Sequence, residues 1–88
     1  MSIGRLLGRE LRVLAVIEDL RLDGWNPPYS LKRIAFRAEE LGVQLSPIWT
    51  AVKMWGIEGI PDDVQELADN GYIEVKRVGN SYGIWPVE

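Results

Sequence analysis

The chain has 88 residues, of which 47% are apolar and 26% charged, and a formal net charge of −3. That length holds one domain, and the balance is that of a folded chain rather than a disordered one. Cysteine and histidine are both absent, which excludes disulfides, thiol chemistry, Cys/His zinc sites and histidine acid–base catalysis.

The charge is unevenly spread. Residues 1–29 and 72–88 each sum to zero, residues 30–55 sum to +2, and residues 56–71 carry five acids and no base. The opening stretch MSIGRLLGRELRVLAVIEDL has no apolar run of transmembrane length and no signal-peptide cleavage pattern, so the expected setting is cytoplasmic, with no membrane.

Leu7, Leu11 and Leu14 recur at helical spacing beside a stripe of Leu6, Val13, Ile17 and Leu20, predicting a first helix over 5–22 with a wide apolar face. Arg5, Arg9 and Arg12 come early and Glu18 and Asp19 late, against the helix dipole, at a cost of a few tenths to about 1 kcal/mol. Gly24 suits the stop. Pro27 and Pro28 then impose an extended segment unfit for a central strand.

Ser30 caps a second helix whose inner face is Leu31, Ile34, Ala35, Ala38 and Leu41, and Gly42 ends it. Ser46-Pro47 signals the start of a third helix. Its spacing predicts Ile48, Ala51, Val52 and Trp55 on the inner face, with Trp49, Thr50, Lys53 and Met54 outward. Asp62 and Asp63 open a short fourth helix over 62–70, where acids suit the dipole, with Val64, Leu67 and Ala68 inward and Asn70-Gly71 as the stop.

The closing stretch YIEVKRVGNSYGIWPV alternates as a hairpin around a two-residue Gly79-Asn80 turn of type II′. That register sets Ile73 opposite Pro86, Val75 opposite Ile84 and Arg77 opposite Tyr82. Pro86 predicts an edge strand.

Ala38, Gly42, Val43, Ile48 and Ala51 together resemble a helix-turn-helix of the phage-repressor type. A small residue lets the two helices cross closely, and glycine serves the turn. With LADNGYIEVKRVGNSYGIWPV as a wing, residues 5–87 resemble the winged helix-turn-helix superfamily. The expected fold is mainly α with a C-terminal β-hairpin: a single domain over 1–88, the helix-turn-helix at 30–55 and the wing at 72–87. The extra helix near 62–70, and Arg37 at a usually apolar position of the second helix, depart from that pattern.

The resemblance implies binding to double-stranded DNA by a small transcriptional regulator with no cofactor. Ser46, Trp49, Thr50 and Lys53 would face bases in the major groove, with Gln44 at the turn. Ser30, Lys32 and Arg33 would hold phosphate, and Lys76, Arg77, Asn80, Ser81 and Tyr82 would form the wing contact. The third helix offers no Arg, Asn or Gln for bidentate base contacts, so backbone-dominated, salt-sensitive binding is expected. The wide face of the first helix, with Trp25 or Trp85, is expected to join two copies as a homodimer.

A protein-interaction adaptor is the competing reading: an apolar or acidic outward face on the third helix favours it, a basic one favours DNA. An enzyme is not expected. The paired acids Glu18-Asp19, Glu39-Glu40 and Asp62-Asp63 are sequence neighbours and diverge by about 100° on a helix. The glycines match no phosphate loop.

Overall fold

A computed structural model describes residues 7–87. Along them run α1 (Gly8–Leu22), β1 (Tyr29–Ser30), α2 (Leu31–Leu41), α3 (Ile48–Met54), α4 (Asp62–Asp69), β2 (Ile73–Val78) and β3 (Ser81–Pro86). The expected start of the first helix at residue 5, with Arg5 and Leu6, lies outside the described residues.

In α1 the stripe of Val13, Val16, Ile17 and Leu20 is buried, while Leu7 and Leu11 are about half exposed. The wide apolar face is thus split between core and surface. The first turn carries its own acid. Glu10 is buried, and its Oε1 accepts a hydrogen bond from the Leu7 backbone N–H at 2.9 Å, a favourable place for a carboxylate near a helix N-terminus. At the other end the misplaced acids are neutralised. Arg21 pairs with Glu18, and Arg37 reaches from α2 to Asp19, Asp23 and Glu40. The hydrogen bond to Asp23 holds the Arg37 guanidinium above its ordinary pKa. Arg37 thereby ties α2 to the end of α1.

The helix stops fall where the glycines predict them. Gly24, Gly42 and Gly71 all have left-handed φ, at 94°, 73° and 82°. Each closes its helix with the two reversed bonds of a Schellman motif, as in Trp25 N–H to the Leu20 carbonyl (3.0 Å) and Gly24 N–H to that of Arg21 (3.1 Å). Ser30 Oγ caps α2 by accepting from the Arg33 N–H at 3.0 Å. Leu31, Ile34, Ala35 and Ala38 are buried as expected, but Leu41, the last residue of the helix, is exposed.

Helix α3 is the main correction. Trp49 and Val52 are buried, whereas Ile48 and Trp55 face solvent. Of the expected inner face Val52 is buried and Ala51 half-buried, while Trp49, expected outward, takes the place of Ile48 and Trp55; one position along a helix is a turn of about 100°. Pro47 stands at the cap rather than inside the helix. Ser46 supplies its carbonyl to the Trp49 N–H (3.0 Å), but its hydroxyl is turned away to Asp63.

The hairpin has the expected register, Ile73 with Pro86, Val75 with Ile84, Arg77 with Tyr82. Gly79 has φ of 60° and, among the described residues, no non-glycine residue has positive φ; one positive angle at the first turn position is type II′. A third strand was not expected. Tyr29 pairs with Ile84 and Ser30 with Gly83, giving the order β1-β3-β2. The segment after the prolines therefore joins the sheet as its edge, and β3, predicted to be an edge, is central. Pro86 is tolerated there because β1 is two residues long and ends at Ile84, leaving no partner for the missing N–H.

Tyr29, Ile73 and Ile84 from the sheet meet Val13, Ile17 and Leu20 of α1, Ile34 of α2, Val52 of α3, and Val64 and Leu67 of α4 in one core. Each such aliphatic side chain contributes about 1.5–3 kcal/mol by burial. Among the described residues no helix is long and apolar enough to cross a membrane.

Candidate functional site

The cations sort into two sets once the fold is known. Arg9 is held by Asp63 (3.0 Å) and Glu66 (3.4 Å), Arg21 by Glu18, Arg37 by three acids, and Lys53 by Glu39 (3.1 Å). Among the described residues Arg12, Lys32, Arg33, Lys76 and Arg77 have no carboxylate within ion-pair distance. Four of these five lie at the start of α2 or on the hairpin.

Three of the four rest on aromatic rings. The Arg33 guanidinium lies 4.3 Å from the Trp25 ring centroid, Lys76 Nζ 5.7 Å from that of Trp85, and the Arg77 guanidinium 5.7 Å from that of Tyr82. Such contacts hold a long cation in place without cancelling its charge. Lys76 and Arg77, adjacent on β2, point to opposite faces of the hairpin.

Ser30 of β1 and Lys32 of α2 line one cavity of about 320 Å³ together with Ser81 and Tyr82 of the hairpin, Val52 of α3 and Ile57 of the following loop. Arg77, Asn80 and Tyr82 line a neighbouring one with Ile57 and Glu58. The start of α2 and the tip of the hairpin, far apart in sequence, therefore form a common surface. Asn80 and Ser81 are exposed at the turn, and the Ser81 hydroxyl donates to the Val78 carbonyl at 3.4 Å.

The residues expected to face bases do not form a comparable set. Trp49 is buried, and its Nε1–H donates to Asp63 Oδ2 at 3.0 Å. The Ser46 hydroxyl donates to the same oxygen at 2.7 Å, and Lys53 is committed to Glu39. Gln44 and Thr50 stay exposed. Apart from Thr50, what α3 and its C-cap show to solvent is mostly apolar: Ile48, Met54 and Trp55, the last 77% exposed. The basic surface lies instead on α2 and the hairpin.

Asp63 was missed. Its carboxylate is buried and satisfied by Arg9, Ser46 and Trp49, so it joins α1, the α2–α3 turn, α3 and α4. Asp62-Asp63 reads in sequence as an ordinary acidic first turn, and nothing local distinguishes the buried member from the exposed one. Among the described residues no group of acids is placed to hold a metal ion. Compared with known proteins, the chain matches no family model, no curated protein and no solved structure.

Proposed function

We propose that this chain is a winged-helix-type domain that binds double-stranded DNA through the phosphate backbone, as a small regulator of transcription would. The start of α2 supplies Lys32 and Arg33, capped by Ser30, and the hairpin supplies Lys76, Arg77, Asn80, Ser81 and Tyr82 as a wing. The observation that carries this reading is the segregation of charge: among the described residues, cations elsewhere are mostly paired, while four without a carboxylate partner collect on two neighbouring elements. The order of helices and hairpin supports it as well.

Helix α3 has a smaller part here than the sequence suggests. With Trp49 inside and Lys53 paired, Gln44 and Thr50 remain for base contacts, too few for strong readout. Affinity is electrostatic, with sequence preference small.

A mobility-shift titration against a random duplex tests this. Four phosphates neutralised give a slope of log affinity against log salt of about −4. Lys32→Ala with Arg33→Ala is expected to weaken binding to every duplex alike and to flatten that slope by about 2. A double variant with unchanged affinity and slope rejects the proposed contact.

The proposal includes a homodimer formed through Leu7 and Leu11, which α1 leaves exposed one turn apart. Light scattering at high micromolar concentration is expected to give twice the 10.0 kDa chain mass, reduced to the monomer by Leu11→Glu.

A further inference from the structure

The outward side of α3 is a stripe that the DNA contact does not use. Ile48, Ala51 and Trp55 recur three and four positions apart, with Met54 alongside, and Ile48, Met54 and Trp55 are 42%, 58% and 77% exposed. Two large apolar side chains standing free on a seven-residue helix and a third at its C-cap are a cost that a partner surface would explain. Trp and Met are residue types enriched at the centres of such surfaces.

The stripe opens at Ile48 into a cleft of about 570 Å³ between α3 and the loop that follows it. Ile48, Ile57, Ile60 and Pro61 form its apolar walls, and Glu58 and Asp62 stand at its rim. This is room for bulky side chains.

The charge around the cleft says what kind of chain enters it. Glu58 and Asp62 are exposed, and among the described residues neither has a cation within ion-pair distance. Arg9, the one cation lining the cleft, is already engaged by Asp63 and Glu66. The whole segment 56–71 carries five acids and no base. Phosphate is repelled here, and an acidic peptide equally.

We propose that the α3 stripe and its cleft dock a basic amphipathic helix of another protein. Its apolar side chains, spaced one turn apart, lie along Ile48, Ala51 and Trp55, one of them entering the cleft, while flanking lysines or arginines meet Glu58 and Asp62. Helix-in-groove docking of this kind is read through anchors at i, i+3 or i+4, and i+7, the spacing of the stripe itself. The domain then has a basic surface for DNA and an acidic-rimmed apolar one for a protein, and the two meet at Glu58, which borders the cavity that Arg77 lines.

The test uses the full chain and two fluorescent synthetic helical peptides that share one leucine face. One carries lysines on its flanks and the other glutamates. Anisotropy titration is expected to show the lysine peptide binding at least about tenfold more tightly. Trp55→Ala weakens it by about tenfold or more without moving Tm, since that ring is exposed and supports no core. Glu58→Lys with Asp62→Lys abolishes the preference for lysine. Lys32→Ala with Arg33→Ala leaves peptide binding unchanged, which separates this surface from the DNA contact. Equal affinity for the two peptides overturns the proposal, as does a Trp55→Ala variant that binds normally. Self-association abolished by Trp55→Ala overturns it in favour of a second copy, and protection of Trp55 by duplex DNA overturns it in favour of the groove.

Discussion

Trp49 Nε1 donates to Asp63 Oδ2 at 3.0 Å, and both side chains are buried. This contact determines which way α3 faces. A tryptophan turned inward needs a partner for its N–H, and Asp63, at the start of α4, provides it. Arg9 and Ser46 satisfy the carboxylate from two other directions, which makes a buried charge tolerable. With Trp49 held inside, Trp55, six positions on, is left outside.

Two substitutions separate the ring from its hydrogen bond. Trp49→Ala removes a core aromatic and is expected to cost roughly 3–5 kcal/mol, a large share of the stability of so small a domain. Trp49→Phe keeps most of the apolar volume and loses the donor, and is expected to cost about 1–3 kcal/mol because Asp63 retains Arg9 and Ser46. Urea unfolding followed by circular dichroism checks both. A change below about 1 kcal/mol for Trp49→Ala shows that the ring is not core.

Gly83 offers a sharper test of packing in the sheet. A Cβ built there would lie 2.7 Å from Pro28 Cβ, 3.0 Å from Val78 Cγ2 and 3.3 Å from Trp85 Cη2. Replacing a strand glycine by alanine is ordinarily stabilising by about 0.5–1 kcal/mol through chain entropy. Here the clash with Pro28 wins, because its Cβ cannot swing aside by a rotamer change and the next residue, Tyr29, is paired in the sheet. Gly83→Ala is expected to cost about 1–3 kcal/mol, as overpacking does. A rise in Tm would mean that β1 and its prolines yield easily.

Much of this fold is legible locally. The hairpin register follows from strict alternation around Gly79-Asn80, and three helix stops follow from glycines placed one or two residues past the last helical residue. The facing of α3 is not legible. Two turns of helix give too few positions to fix a face when two tryptophans compete for the inside, and the deciding acid lies in another helix. β1 is hidden for a similar reason, since two residues carry no alternation and their partners are near the other end of the chain. The cations of the proposed DNA contact are visible as charges. Their freedom is not, because it depends on which of the others the fold pairs with acids.

Tyr29 gives the fold a measurable dependence on alkaline pH. Its ring is buried in the core, its hydroxyl donates to the Trp25 carbonyl at 2.8 Å, and burial pushes its pKa above the ordinary value of 10.0. Below pH 10 the phenol is protonated in the folded and the unfolded chain, and its contribution to stability is fully present. As pH rises past that point the unfolded chain releases the proton first, so folding must hold a proton that the unfolded state would give up, and stability falls. The wild-type curve alone does not isolate this residue's share of the effect. Tyr29→Phe does. At pH 7 it loses the bond to Trp25, at a cost of about 0.5–1.5 kcal/mol. Above pH 10 its disadvantage is expected to shrink, because phenylalanine has no proton to lose, and the two unfolding midpoints converge. A gap in midpoint that stays constant from pH 7 to pH 11 would show that the phenol ionises as readily in the folded chain as in the unfolded one.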